Sequence, residues 1–190
     1  MKKVGVLALQ GGVEEHLKKL SHVNNVEPVL VKYLSELDEI DGLIIPGGES
    51  TALGLLLREF ELMEPLKERI IKGMPVWGTC AGMILLAKEI SDDDTRHLEV
   101  MDIKVRRNAY GTQLDSFTTK ALIPEVDTEP IQLVFIRAPF VEGVGDKVDV
   151  LLKVGGNIVA CREKNMLATS FHPELTDDIR FHKYFVNMIN

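Results

Sequence analysis

The stretch Met74-Pro75-Val76-Trp77-Gly78-Thr79-Cys80-Ala81-Gly82-Met83-Ile84-Leu85-Leu86 reads as a strand that turns into a helix with no loop between them. Pro75–Thr79 is a short apolar run of strand character, and Ala81–Glu89 reads as a strongly apolar helix. The residue on the turn is a cysteine, with Gly78 and Gly82 two residues to either side, giving G-x-C-x-G. A sharp strand–nucleophile–helix turn crowds the backbone at those two positions, so small residues are needed there. The turn pushes the sulfur clear of the sheet. Unpaired N–H groups and partial positive charge in the first helical turn favour a thiolate, and the N–H of Ala81 can stabilise an oxyanion. An unpaired cysteine is ordinarily a small buried hydrophobe. That role suits Cys161, which lies near a hairpin beside Arg162; the flanking glycines set Cys80 apart as a nucleophile.

Outward from this turn, the first half of the chain alternates strand and helix. Val4–Leu9 is a continuous apolar run, as expected of a parallel strand buried on both faces. Val13, Leu17 and Leu20 follow at helical spacing, and Pro28–Val31 and Gly42–Ile45 read as further strands. Leu53–Ile71 reads as a helix broken near Pro65 and stopped by Gly73. After Ser91-Asp92-Asp93-Asp94 the pattern changes: Val100–Val105, Leu114–Thr119 and Leu133–Ile136 look like strands without helices between them. Val148–Val154 and Ile158–Cys161 flank Gly155-Gly156-Asn157, a hairpin turn, and Met166–Phe171 is a last strand before a closing helix through Ile179, Phe181, Phe185 and Ile189. The expected architecture is a single α/β domain over residues 1–190, with a mostly parallel central sheet and an antiparallel extension in the second half.

Composition bounds the function. The 190 residues are 45% hydrophobic and 27% charged, ordinary globular usage that argues against disorder and coiled coil. A chain of this length buries about 70% of its unfolded surface and needs no disulfide or metal to hold a core. The net charge of −7, with no basic run, argues against nucleic acid and anionic membranes as partners. Gly73–Ala87 is the longest uncharged stretch, too short for a bilayer and interrupted by Pro75. Lys2-Lys3 before an apolar run lacks the cleavage site of a secretory signal. Two cysteines without a CxxC pair point to a cytoplasmic protein with reduced thiols.

A nucleophilic cysteine needs a base. Of the five histidines, only His172 follows directly on an apolar strand, in Thr169-Ser170-Phe171-His172-Pro173-Glu174. Ligands bind beyond the carboxyl ends of strands in open α/β sheets, so that is where a base is useful. Glu174, two residues on, can hydrogen-bond one ring nitrogen while the other faces Cys80. His16 and His22 on the first helix and His182 on the last read as solvated or packed histidines, and His97 has no visible partner. A second strand-to-helix turn, Ile44-Ile45-Pro46-Gly47-Gly48-Glu49-Ser50-Thr51, brings consecutive glycines where backbone N–H groups can approach a ligand oxygen. Ser50 or Thr51 is the expected helix cap there. Neither this loop nor Gln10-Gly11-Gly12 carries a dinucleotide fingerprint or a P-loop lysine.

These motifs together resemble the triad-type (class I) glutamine amidotransferases. Within that family they are most similar to the glutaminase subunits of two-subunit pyridoxal 5′-phosphate synthases. The resemblance runs over essentially the whole chain, through Gly5-Val6-Leu7-Ala8-Leu9-Gln10-Gly11, Pro46–Thr51, Gly78–Gly82, Arg107-Asn108-Ala109-Tyr110-Gly111, Phe135-Ile136-Arg137-Ala138-Pro139 and Ser170–Leu175. It implies a flavodoxin-like, three-layer α/β/α fold. It also implies Cys80 as nucleophile, His172 as base and then acid, and Glu174 as its orienter. Oxyanion donors are then Gly48 and Ala81, and glutamine-binding positions fall on Gly47, Gly48, Glu49, Arg107, Ile136 and Arg137. The implied activity is hydrolysis of L-glutamine to glutamate and ammonia, with no metal or organic cofactor. The implied partner is a synthase subunit that uses the ammonia to make pyridoxal 5′-phosphate, with Gln10 a candidate for coupling the two. A stand-alone cysteine hydrolase of γ-glutamyl peptides would use the same triad, whereas a binding module would lose it.

Overall fold

Strands without polar alternation must be covered on both faces, and the central strands of this molecule are. The computed structural model describes residues 1–107 and 116–190. The chain runs β1 (Lys2–Leu7), α1 (Val13–Leu20), β2 (Val26–Val31), α2 (Leu34–Leu37), β3 (Gly42–Ile45), α3 (Ser50–Glu59) and α4 (Met63–Ile71). It continues through β4 (Val76–Thr79), α5 (Ala81–Leu86), β5 (Ala87–Ile90), β6 (Met101–Arg106), β7 (Ser116–Ala121) and β8 (Ile131–Ile136). Next come β9 (Phe140–Val144), β10 (Asp149–Val154), β11 (Asn157–Glu163), β12 (Met166–Thr169) and α6 (Arg180–Met188).

The main sheet has the order β2-β1-β3-β4-β12-β11-β9-β6-β5, with β10 paired to β11. From β2 to β12 every pairing is parallel, in the order of a flavodoxin-like doubly wound sheet. Beyond β12 the pairings with β11, β9 and β6 are antiparallel, which is the expected extension, and β5 returns parallel to β6. Side chains alternate between two cores. Val4, Val6, Ile44, Trp77 and Leu167 face one layer with Leu20 of α1 and Phe181 and Phe185 of α6. Leu43, Ile45, Val76, Met166 and Ala168 face the other, with Leu53 and Leu57 of α3, Leu66 and Ile70 of α4 and Met83 of α5. Three layers result.

Several boundaries differ from the sequence reading. The long helix breaks at Glu61, whose φ of 55° reverses the chain between α3 and α4. Pro65 instead sits in the first turn of α4, where its missing N–H costs nothing. The apolar helix after Cys80 ends at Leu86 and passes straight into β5, so Ala87–Glu89 is strand rather than helix. The strand expected over Leu114–Thr119 is described from Ser116 on; Leu114 and Asp115, like Asn108–Gly111 of the Arg107 motif, lie outside the described residues. The Gly155-Gly156 turn carries φ of 58° and 84°, a two-residue connection whose twist suits a hairpin.

The separate β7–β8 hairpin packs by Phe117 and Phe135, stacked at 4.5 Å, and Phe135 meets Phe171 edge-on at 5.7 Å. His172 N–H donates to Val134 O at 2.8 Å. These contacts bring the end of β8 to the carboxyl edge of the sheet, beside the residues that follow β1, β3, β4 and β12.

Candidate active site

Cys80 joins β4 to α5 with φ 49° and ψ −104°, a conformation that costs a non-glycine residue about 1–3 kcal/mol and persists only where its surroundings impose it. Those surroundings are the two glycines. A methyl at Gly78 would lie 2.8 Å from Met83 N, and one at Gly82 would collide with the carbonyl oxygen of Ile45. The helix is thereby drawn onto β3 and β4, and Cys80 is held 8% exposed at the floor of a cleft. Its sulfur lies 4.0 Å from the carbonyl oxygen of Ile136.

His172 comes from the strand beside β4. Trp77, Gly78 and Thr79 pair with Leu167, Ala168 and Thr169, so His172 and the Cys80 sulfur leave adjacent parallel strands at the same edge. His172 Nδ1 is 2.7 Å from Glu174 Oε1, within a 3₁₀ turn over Pro173–Leu175. Burial works against a charge on His172, but hydrogen bonds to Cys80 and Glu174 outweigh it and raise its pKa to about 10. The ring is therefore an imidazolium at neutral pH, beside the sulfur. Gly47 stands against the same ring: a methyl there would be 2.6 Å from His172 Cε1.

The cleft, about 630 Å³, is lined by Cys80, His172 and Glu174 together with Gln10, Gly47, Gly48, Glu49, Ala81, Arg107, Ile136 and Arg137. All the residues singled out from the sequence thus meet in one place. A second cleft of similar volume lies at the opposite end of the sheet, lined by Arg69, Lys72 and Lys164 among others, and contains none of them. Glu49, not Ser50 or Thr51, caps α3: its carboxylate accepts the N–H groups of Thr51 at 3.1 Å and Ala52 at 2.7 Å. Burial would raise its pKa, but those two bonds and nearby Arg107 hold it below the ordinary value. Arg107 pairs with Asp93 at 3.2 Å. Arg137 has φ 44°, the second non-glycine residue with positive φ at the cleft after Cys80. Gln10 Oε1 accepts Glu49 N–H at 2.9 Å, and Gly12 N–H donates to Gly47 O at 3.0 Å, so the loops after β1 and β3 are bonded to each other.

Sequence reasoning gave no role to Glu15, Pro139 and Leu175, which also line the cleft, and set His16, which lies behind it, aside as a solvated or packed histidine. For His16 a signal existed. It stands three residues after Val13 and four before Leu20, on the apolar stripe of α1, and it is fully buried.

Residues 6–190 match the SNO glutamine amidotransferase family. The chain is 65% identical to the Ruminiclostridium cellulolyticum protein named pyridoxal 5′-phosphate synthase subunit PdxT, over 100% of both chains. It is 58% identical to the Clostridium botulinum protein of the same name, covering 98% of this chain and 97% of that one. A crystal structure of a glutamine amidotransferase superposes with a TM-score of 0.92 at 40% identity, over 98% of each chain. A glutamine amidotransferase from Thermotoga maritima, 16% identical, superposes with a TM-score of 0.64 over 98% of this chain and 83% of that one, a likeness of fold alone.

Proposed function

The chain belongs to the SNO glutamine amidotransferase family, and from that premise we propose that it hydrolyses L-glutamine through Cys80, His172 and Glu174 and hands the ammonia to a pyridoxal 5′-phosphate synthase subunit. The observation that carries the reading is the 2.7 Å contact of His172 Nδ1 with Glu174 Oε1, made behind a cysteine on a positive-φ turn. The thiolate of Cys80 attacks the side-chain amide carbon of glutamine. The N–H groups of Ala81 and Gly48 receive the oxyanion. As the C–N bond breaks, the His172 imidazolium gives its Nε2 proton to the departing nitrogen, releasing ammonia and leaving a γ-glutamyl thioester. Neutral His172 then takes a proton from water, which attacks the thioester carbon. The C–S bond breaks, glutamate departs, and thiolate and imidazolium are restored. Glu174 holds the ring in register through Nδ1.

Glutamine is held at its far end. Arg107 faces the α-carboxylate, which replaces Asp93 as its partner, and the free lone pairs of Glu49 accept from the α-ammonium. Gly47, Ile136 and Arg137 shape the cleft around the side chain. A reactive thiolate suits a reducing, cytoplasmic compartment.

The Gln10-Gly11-Gly12 loop carries the coupling to the synthase subunit. It is bonded to Gly47 and Glu49, so pressure on it reaches the peptide that must present the Gly48 N–H. The test of the catalytic reading is labelling with the alkylating glutamine analogue 6-diazo-5-oxonorleucine, followed by peptide mapping. Modification is expected on Cys80 alone. Label on Cys161 instead, or ammonia release that survives Cys80→Ala, would falsify it.

A further inference from the structure

Glu174 is buried to 2% side-chain exposure, yet the proposed triad uses only one of its oxygens. Oε1 accepts the hydrogen bond of His172 Nδ1–H, while Oε2 has no hydrogen-bond partner of ordinary geometry and faces His16 Nε2 at 3.4 Å. An ionised carboxylate in such a place needs a donor on each side. His16 is the side chain placed to supply one.

Its protonation state follows from its neighbours. His16 Nδ1 lies 2.9 Å from His182 Nε2 of α6, and His16 Nε2 lies 3.3 Å from Thr79 Oγ1. Both rings are wholly buried. Burial, and the proximity of His182 and His172, hold the His16 pKa well below the ordinary histidine value. Burial and nearby Lys19, against a smaller opposing effect of Asp178, bring His182 down to about 3. Both are neutral at working pH, so each ring has one N–H and one lone pair. Two arrangements are possible. If His16 donated from Nδ1, its Nε2 lone pair would face the Glu174 carboxylate, and His182 would be left with a buried N–H at Nδ1, where no acceptor is present among the described residues. If His182 donates from Nε2, its partnerless Nδ1 is only a lone pair, which burial tolerates better than an orphan N–H. His16 Nε2 then carries its proton, which lies between Thr79 Oγ1 at 3.3 Å and Glu174 Oε2 at 3.4 Å. The second arrangement is favoured on both counts.

We infer that His16 is a positioning residue for the triad: locked by His182 in the tautomer with Nε2 protonated, it presents an N–H shared between Thr79 Oγ1 and Glu174 Oε2, and so restrains the carboxylate that orients His172. The inference rests on the triad proposed above. It also explains why the ring lies inward from α1 and why His182 is pinned, its ring meeting Trp77 edge-on at 5.1 Å.

Two substitutions separate positioning from simple packing. His16→Gln carries an amide N–H out to the Nε2 position and can still reach Glu174. His16→Asn is shorter; its amide spans the Nδ1 position facing His182 and stops short of the carboxylate. The experiment is steady-state ammonia release from glutamine by the full chain assembled with its synthase subunit, with thermal melting of each variant and Cys80→Ala measured alongside. Small displacements remote from the reacting atoms cost up to about 100-fold in rate, so His16→Asn is expected to lower kcat by about 10- to 100-fold with the glutamine KM unchanged. His16→Gln should recover most of that loss at a similar melting temperature. Equal kcat in the two variants, or a loss expressed in KM, overturns the inference. Activity persisting in Cys80→Ala would overturn the triad beneath it instead.

Discussion

Trp77 donates its indole N–H to Thr169 Oγ1 at 3.0 Å, and both residues are completely buried. The bond ties the strand that delivers Cys80 to the strand that leads to His172. Cys80 N–H adds a second tie, donating to Thr169 O at 2.8 Å. Adjacent strands lie about 4.8 Å apart, so the separation of the sulfur from the imidazole is a property of the sheet more than of either loop.

Thr169→Val removes the acceptor while keeping the shape, and leaves a buried indole N–H without a partner. The expected cost is about 1–3 kcal/mol of stability, read as a lower urea midpoint with an unchanged slope. A midpoint equal to that of the unmodified chain would show that the indole finds another acceptor.

The positive φ of Cys80 gives a prediction that separates stability from activity. Cys80→Ala keeps the conformational penalty and loses the contact with His172. Cys80→Gly loses the same contact but also removes the Cβ that makes a φ of 49° unfavourable, and is expected to be more stable than Cys80→Ala by about 1 kcal/mol. Neither variant should release ammonia from glutamine. A glycine variant no more stable than the alanine one would mean the turn is not strained.

Kinetics should split the triad from the substrate pocket. Glu174→Gln weakens the hold on the His172 ring and is expected to lower kcat with little change in KM. Arg107→Ala removes the proposed partner of the α-carboxylate, a charge-assisted bond of about 1.5–3 kcal/mol, and should raise KM by about 10- to 100-fold. The reverse pattern in either variant would sink its assignment.

Much of this site could be read before any fold was known, because its signals are local. G-x-C-x-G requires a particular backbone, and that backbone is found at Cys80. The order of apolar runs announced the parallel sheet for the same reason. What was illegible depends on tertiary context. Glu61 breaks the helix without being a glycine or proline, and nothing nearby in sequence marks it. Ala87–Ile90 looks like a continuation of α5 but is claimed by pairing with β6. Asp93 as the partner of Arg107 and His16 behind Glu174 arise between segments remote in sequence, where spacing carries no information.

The buried histidines make opposite demands on pH. His172 is raised from an ordinary value near 6.5 to about 10, so its contribution to stability is complete below about pH 6.5 and is lost as pH rises toward 10. His182 is depressed to about 3, so the unfolded chain takes up a proton that the folded chain refuses, and stability is lost as pH falls from about 6.5 toward 3. Stability should therefore decline on both sides of neutrality. Substituting His182→Gln is expected to flatten the acid limb only, and His172→Gln the alkaline limb only, in urea melts across pH. An acid limb unaffected by His182→Gln would remove that residue as its cause.

Gln10 is the expected link between the synthase subunit and the oxyanion donors. Ammonia released into neutral water is protonated and ceases to be a nucleophile, so a glutaminase that runs without its synthase wastes glutamine. Restraint is best built into the oxyanion donors, because a peptide N–H can be turned away without disturbing the triad. The Gly47-Gly48 peptides suit this: Gly48 leaves no side chain in the way, and Gln10 Oε1 occupies the space where one would stand. The same oxygen accepts Glu49 N–H, so movement of Gln10 must disturb the backbone on the far side of Gly48. One missing oxyanion donor lowers kcat by about 10²–10³, which sets the scale of activation expected when the synthase subunit docks. Gln10→Ala should keep the fold and the turnover seen without the synthase subunit but lose most of that stimulation. The measurement is ammonia release from glutamine by both proteins, with and without purified synthase subunit. Fast turnover of the unmodified chain alone would favour a stand-alone hydrolase, and full stimulation of Gln10→Ala would move the coupling to another part of the cleft rim.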